Sequence, residues 1–362
     1  MEKAQTRKLT VRNPLIELFR FLLCIIVFLH HSGWVKADPL LPAGSLAADM
    51  FFVLTGYFGI RHVCERGTGE KPLLFSIRYT IKKLANVFPY VAAGTLSLYL
   101  LDIFLVLRNG SPFSCADLLC MLRDLVVELS FLSLAGLMPL DITLHFRNAP
   151  TWYLSAVLLG LPLLLWLCQR LGKAFRRVVV WVLPVALYAI LMSHFDGLSQ
   201  WGGSYGIFKA GFLRGLAGMS TGGAIYCALS ALSARFPSVS ERAPLASLTA
   251  LETALYLLFF WMIVRGAVGM EKLIALGIAA LAAALSLSNL THTSRMHSRA
   301  ALYLGRLSMP IYCIHWAVYR YVSFLASYLD LDWRIAMALA WVLSVIGAQV
   351  LMSIFTRRKS RV

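Results

Sequence analysis

Arg20 and His31 stand eleven residues apart in "ELFRFLLCIIVFLHHSGW" (residues 17–34), a stretch that otherwise reads as a membrane span. An ionisable group at mid-depth in hydrocarbon costs about 2.5–3.5 kcal/mol or more, so its presence there points to function. On an α-helix, eleven residues make three turns plus about 20°, which puts both side chains on one face, roughly 16 Å apart along the axis. His30 points some 80° away. Imidazole titrates near neutral pH and serves most often as a general base, so His31 is the candidate for proton transfer. One stripe bearing both groups at different depths outlines a path lined for a charged or reactive ligand. The plainer account, an arginine snorkelling to headgroups and two histidines capping the helix in water, suits His30 better than His31.

Other residues can join this pair. Asp49 opens the next apolar segment, "GSLAADMFFVLTGYFGIRH", across a short loop from His31. A carboxylate there could accept the imidazole N–H, fix its tautomer and raise its basicity, or simply favour a helix N-terminus. In "SIRYTIKKLANVF", Arg78 and Lys82 share a helical face and Lys83 follows. Three cations suit the phosphates of a ligand or the headgroups of anionic lipids. Trp152 and Tyr153 sit at a span entrance, where an aromatic belt also belongs. His315, in "IYCIHW", is either a functional group or a hydrogen-bonded core histidine. The histidines, cysteines and acids show no metal-ligand spacing. None of the seven cysteines forms a C-x-x-C pair, so they read as free core thiols.

The elements that must position these groups are membrane helices. The chain of 362 residues is 59% hydrophobic and 14% charged, with apolar runs near the ~20 residues that a spanning helix requires. Hydropathy places spans at about 15–34, 46–62, 86–107, 152–169, 178–195, 212–233, 245–264, 272–289, 307–328 and 335–355. Segment 116–138 is apolar but carries Arg123, Asp124 and Glu128, and it reads as an outer-face amphipathic or re-entrant piece. Ten spans then put both termini on the cytoplasmic side, with 22 of the 34 lysines and arginines. That positive-inside distribution accounts for the net charge of +17 without a nucleic-acid partner. The first span lacks a small-residue cleavage site and reads as uncleaved. The expected architecture is a single all-α membrane domain over 1–362: a tail to residue 14, a bundle over 15–355 and a basic tail over 356–362.

Taken in order, "RFLLCIIVFLHH", "ADMFFVLTGYFGI", "IKKLANVFPY", "APTWYLSAVLLGLPLLLWL" and "YLGRLSMPIYCIHWAVY" resemble the integral-membrane acyltransferase-3 family, bacterial O-acyltransferases acting on surface glycans and other hydroxyl acceptors. The resemblance runs from about residue 12 to the end. It implies that Arg20 and His31 are the family's essential pair, His31 as base or acyl-transfer residue and Arg20 as a donor contact. It matches Asp49 and Phe51–Gly56 to a "DLFFVLSG" box with Thr55 in place of Ser. Lys82 and Lys83 match basic positions, although Asn86 stands where an Arg is common. Trp152–Ser155 match a "W-x-L-S" box, with Ala156 and Val157 where many relatives carry an acid.

The resemblance implies an O-acyltransferase of the bacterial cell membrane with no permanently bound cofactor. Its donor would be a cytoplasmic acyl-CoA, acetyl-CoA foremost, held by Arg78, Lys82 and Lys83. Its acceptor would be a surface glycan or lipid-linked saccharide, with Trp152, Tyr153 and His315 as contacts and Asp49 supporting His31. The competing class is a secondary transporter or flippase with Arg20 and His31 as substrate or proton sites, against which stands the lack of a visible internal repeat.

Overall fold

The computed structural model describes residues 13–36, 38–66, 69–110, 114–135, 147–195, 197–236, 238 and 244–359. Of the charges that orient the bundle, Lys3, Arg7, Lys8, Arg12, Arg242 and Arg361 lie outside the described residues. The chain is an all-α membrane bundle, with twelve helices among the described residues. They are α1 (Pro14–His30), α2 (Leu46–Arg66), α3 (Pro72–Ala85), α4 (Phe88–Arg108), α5 (Cys115–Leu129), α6 (Trp152–Leu171), α7 (Val180–His194), α8 (Ala210–Arg235), α9 (Ala246–Arg265), α10 (Met270–Leu287), α11 (Arg299–Leu329) and α12 (Trp333–Lys359). A two-stranded hairpin, β1 (Ser204–Tyr205) and β2 (Phe208–Lys209), leads into α8.

The start of α1 is fixed locally. The Asn13 side chain accepts from the N–H groups of Leu15 and Ile16, and Pro14 takes the first helical position, where its missing N–H costs nothing. The helix ends at His30, and His31 opens a 3₁₀ turn, His31–Trp34. His30 Nδ1 donates to the Leu41 carbonyl (2.8 Å), and Ser32 Oγ accepts from Leu40 N–H (2.7 Å). His30 is therefore the clamp of the α1–α2 loop, half-buried rather than capping the helix in water.

At the centre lies α2, which packs on α8, α6 and α1 and is almost wholly enclosed by protein. Its approach to α8 depends on missing side chains. A Cβ at Gly56 would fall inside the van der Waals shell of the Met219 carbonyl, and one at Gly222 inside that of Val53. Such backbone contact is the means of helix association in a bilayer, where apolar surface alone drives little. Around this pair α1 packs on α11, α11 on α4 and α12, α9 on α10, and α3 on α6.

Nine helical segments among the described residues are long and apolar enough to cross a membrane, and they coincide with nine of the ten expected spans. The tenth, 307–328, lies within α11, whose 31 residues suffice in length but carry Ser308, Tyr312, His315, Tyr319 and Arg320. Its polar side chains are sheltered by α1, α4 and α12 rather than offered to lipid. The described part of segment 116–138 forms α5, opened by a Ser114–Asp117 capping box. Fifteen residues reach about 22 Å, short of the ~30 Å hydrocarbon core. Cys115 and Cys120 on α5 are exposed, unlike the other five cysteines, so the expectation of core thiols fails for these two.

Candidate active site

Arg20 opens into a cavity of about 110 Å³ that it shares with Lys83, Thr55, Tyr153, Phe51 and Met309. Its guanidinium Nη1 donates to Glu17 Oε2 (2.9 Å), one turn back on α1, so the cation is oriented before any ligand arrives. Thr55 Oγ1 and the Tyr153 hydroxyl lie 2.9 Å apart, and the tyrosine also reaches the Phe51 carbonyl (3.2 Å). Lys83 enters from α3, too short a helix to span. Burial and the neighbouring Arg20 push its ammonium down to about 8. The cavity thus has a cationic wall, a hydroxyl pair and an apolar remainder formed by Leu54, Phe58, Leu84, Val87, Leu154 and Val157.

His31 lies beyond this cavity. Its ring stacks on that of His315 at 5.3 Å (28° between planes) and meets the Trp316 edge at 4.8 Å. Aromatic rings join the two places: Phe51 and Tyr153 each pack on Tyr312 (6.1 and 5.8 Å), and Tyr312 packs on His315 (5.9 Å). Met309, in the cavity wall, and His315 are six residues apart on α11, about 9 Å of helix rise. A cation-lined cavity and an imidazole pair therefore stand end to end along the α1–α11 contact.

The expected contact of Asp49 with His31 is not made. Both Asp49 oxygens accept from Arg214, Nε to Oδ1 at 3.2 Å and Nη2 to Oδ2 at 2.6 Å, and both side chains are fully buried. The reason is electrostatic, since a carboxylate taken out of water requires a full counter-charge and a bidentate guanidinium supplies one. Arg214 also donates to the Gln200 carbonyl (3.2 Å) and lies over Trp152, 5.1 Å from its centroid. Trp152 accordingly belongs to the Asp49–Arg214 cluster, whereas its neighbour Tyr153 lines the cavity.

The three cations of α3 divide in the same way. Lys83 faces the cavity, while Lys82 is exposed and Arg78, also exposed, pairs with Glu70. A three-point clamp is thus not assembled, because the spacing that unites Arg78 and Lys82 turns Lys83 about 100° away. Glu17, Arg214, Tyr312 and Trp316 are the residues that sequence reasoning missed. Glu17 was readable, lying three residues before Arg20; Arg214 signals itself only as a charge within an apolar run, with nothing to name its partner.

Near the imidazole pair, Glu128 of α5 accepts the backbone N–H groups of Arg147 (2.5 Å) and Asn148 (3.3 Å). Burial pushes its carboxyl up to about 7 against the pull of those donors. Asn148 in turn donates to Thr95 Oγ1 (3.0 Å) and the Cys313 carbonyl (3.4 Å), and so ties this loop to α11 beside His315.

The family model described as an acyltransferase domain matches residues 13–357, nearly the whole chain. The chain belongs to the acyltransferase-3 family. Neither the curated proteins nor the solved structures give a match. Membership makes the protein a membrane acyltransferase, and an acyltransferase must bring an acyl donor and an acceptor to one proton-transferring group. Among the described residues, the Arg20–Lys83 cavity and the His31–His315 pair are the candidates for that task.

Proposed function

We propose that this acyltransferase moves an acyl group, acetyl foremost, from cytoplasmic acyl-CoA to a hydroxyl of a cell-surface glycan or its precursor, in the bacterial cell membrane. The observation that supports this reading is that α1 carries Arg20 into a cationic cavity and, three turns on, its C-cap residue His31 enters an imidazole stack. In an N-inside orientation the cavity lies toward the cytoplasm and His31 toward the outer surface. The cavity is far smaller than the 300–1,000 Å³ typical of drug-sized ligands, so it suits the narrow pantetheine end of the donor, its thioester reaching on toward His31, rather than the nucleotide. Lys83 and Arg20 then face that end, while Arg78 and Lys82, on the outside of α3, are left for the phosphates or for anionic lipid.

In the reaction, His31 removes the proton of the acceptor hydroxyl as its oxygen attacks the thioester carbonyl carbon. The C–O bond forms, the C–S bond breaks, and the departing CoA thiolate takes the proton from the imidazolium. Should His31 instead carry the acyl group on its ring, labelled acetyl-CoA would give a burst of free CoA without acceptor.

The reading is tested with full-length protein in nanodiscs, labelled acetyl-CoA and extracted surface polysaccharide. CoA release coupled to labelled polysaccharide, falling 10²–10⁴-fold in His31→Ala, is the expected result. Wild-type protein that releases no CoA from any acyl donor overturns it.

A further inference from the structure

Among the described residues, two buried polar atoms beside His31 are left unmatched. His315 donates through Nδ1 to the Tyr312 carbonyl (2.8 Å), which fixes its tautomer and leaves Nε2 as a bare acceptor. His315 is 1% exposed, and its Nε2 has no hydrogen-bond partner among the described residues. The indole Nε1 of Trp316, a donor only, is buried in the same condition. Both rings pack directly on His31. An unmade acceptor and an unmade donor around one reactive imidazole are costly to a fold unless something fills them.

The group that matches both is a hydroxyl, with one O–H to give to Nε2 and lone pairs to receive the indole N–H. It is a different hydroxyl from the one that reacts. The His31 and His315 rings are only 28° from parallel, so their in-plane lone pairs lie in separate, nearly parallel planes and address two oxygens rather than converging on one. Asn148 Oδ1, without a partner among the described residues and buried where its amide holds the Cys313 carbonyl, offers a further acceptor at the same end of α11.

We propose that His315 Nε2 and Trp316 Nε1 bind a second hydroxyl of the acceptor, making this acyltransferase selective for vicinally hydroxylated rings or polyols over simple alcohols. This rests on the proposed transfer to a hydroxyl at His31. His315 and Trp316 act here as specificity-determining residues, reading the neighbour of the reacting group.

The test compares two probes of one ring size, cyclohexanol and trans-1,2-cyclohexanediol, as acceptors for acetyl-CoA with full-length protein in nanodiscs. The readout is the ratio of kcat/KM values, diol over mono-ol. The expected wild-type ratio is about tenfold above the statistical factor of two for two equivalent hydroxyls. It collapses toward two in Trp316→Phe and in His315→Phe. A variant that merely loosens the fold lowers both kcat/KM values together and leaves the ratio intact, so a ratio preserved in both variants overturns the proposal. A wild-type ratio near two does the same while leaving the transfer reading standing. CoA release accelerated by neither alcohol overturns the proposal, and only if release is also absent with every acyl donor does the transfer reading fall with it.

Discussion

At the scale of the residue, each ionisable group in the bundle has a different local account. Asp49 and Arg214 compensate one another, and removing either leaves the other charged and buried without its counter-ion. Asp49→Ala is therefore expected to cost about 3–5 kcal/mol, read as a large fall in the detergent melting temperature. A loss of kcat at unchanged melting temperature would instead place Asp49 in the chemistry. Lys83 has a different character, because its ammonium, held down to about 8, is mostly charged at pH 7 and neutral by pH 9–10. The KM for acetyl-CoA is expected to rise as pH passes about 8, and Lys83→Arg, charged throughout, to flatten that rise. A KM independent of pH from 7 to 10 in wild-type protein removes Lys83 from the donor site.

At the scale of the element, α1 shows how far a helical period carries an argument. The choice of His31 over His30 followed from eleven residues of rotation, and the structure gives His30 a loop clamp and His31 the stack. The same arithmetic was available for α3, where Lys83 parts from Arg78 and Lys82. Partners across helices were not legible: Asp49 and Arg214 are 165 residues apart, and no local rule links a carboxylate on one span to a guanidinium six helices on. The aromatic bridge through Tyr312 escaped for the same reason, since periodicity gives the face a residue occupies and not what packs against it. The α2–α8 contact belongs at this scale too. Gly222→Val is expected to destabilise the protein by about 3 kcal/mol or more, because its Cβ would drive into the backbone of α2. Gly277→Val, where a Cβ meets nothing within 4 Å, is the control and is expected to leave the melting temperature nearly unchanged.

At the scale of the whole molecule, membrane class and span count were readable because hydrocarbon imposes length and apolarity on every crossing segment. Nine expected spans meet that standard as helices, and α11 falls below it because it carries the histidine, tyrosines and serine that turn inward. Hydropathy is thus weakest in the helix that contributes most to the site. The short α5 follows from the same physics, since Asp124 and Glu128 are buried against protein while Leu118, Leu119 and Leu122 remain exposed.

The burial of α2 also bears on how the protein is made. Its two main contacts, the glycine seam and the Asp49–Arg214 pair, are supplied by α8. At 5–20 residues per second, the ribosome delivers Arg214 roughly 8–33 s after Asp49. Through that interval the innermost helix of the finished bundle stands without its counter-charge or its seam. Assembly consequently cannot follow chain order: the centre is closed late, after helices made well downstream have arrived, and the early helices have to be sheltered or held at the interface until then.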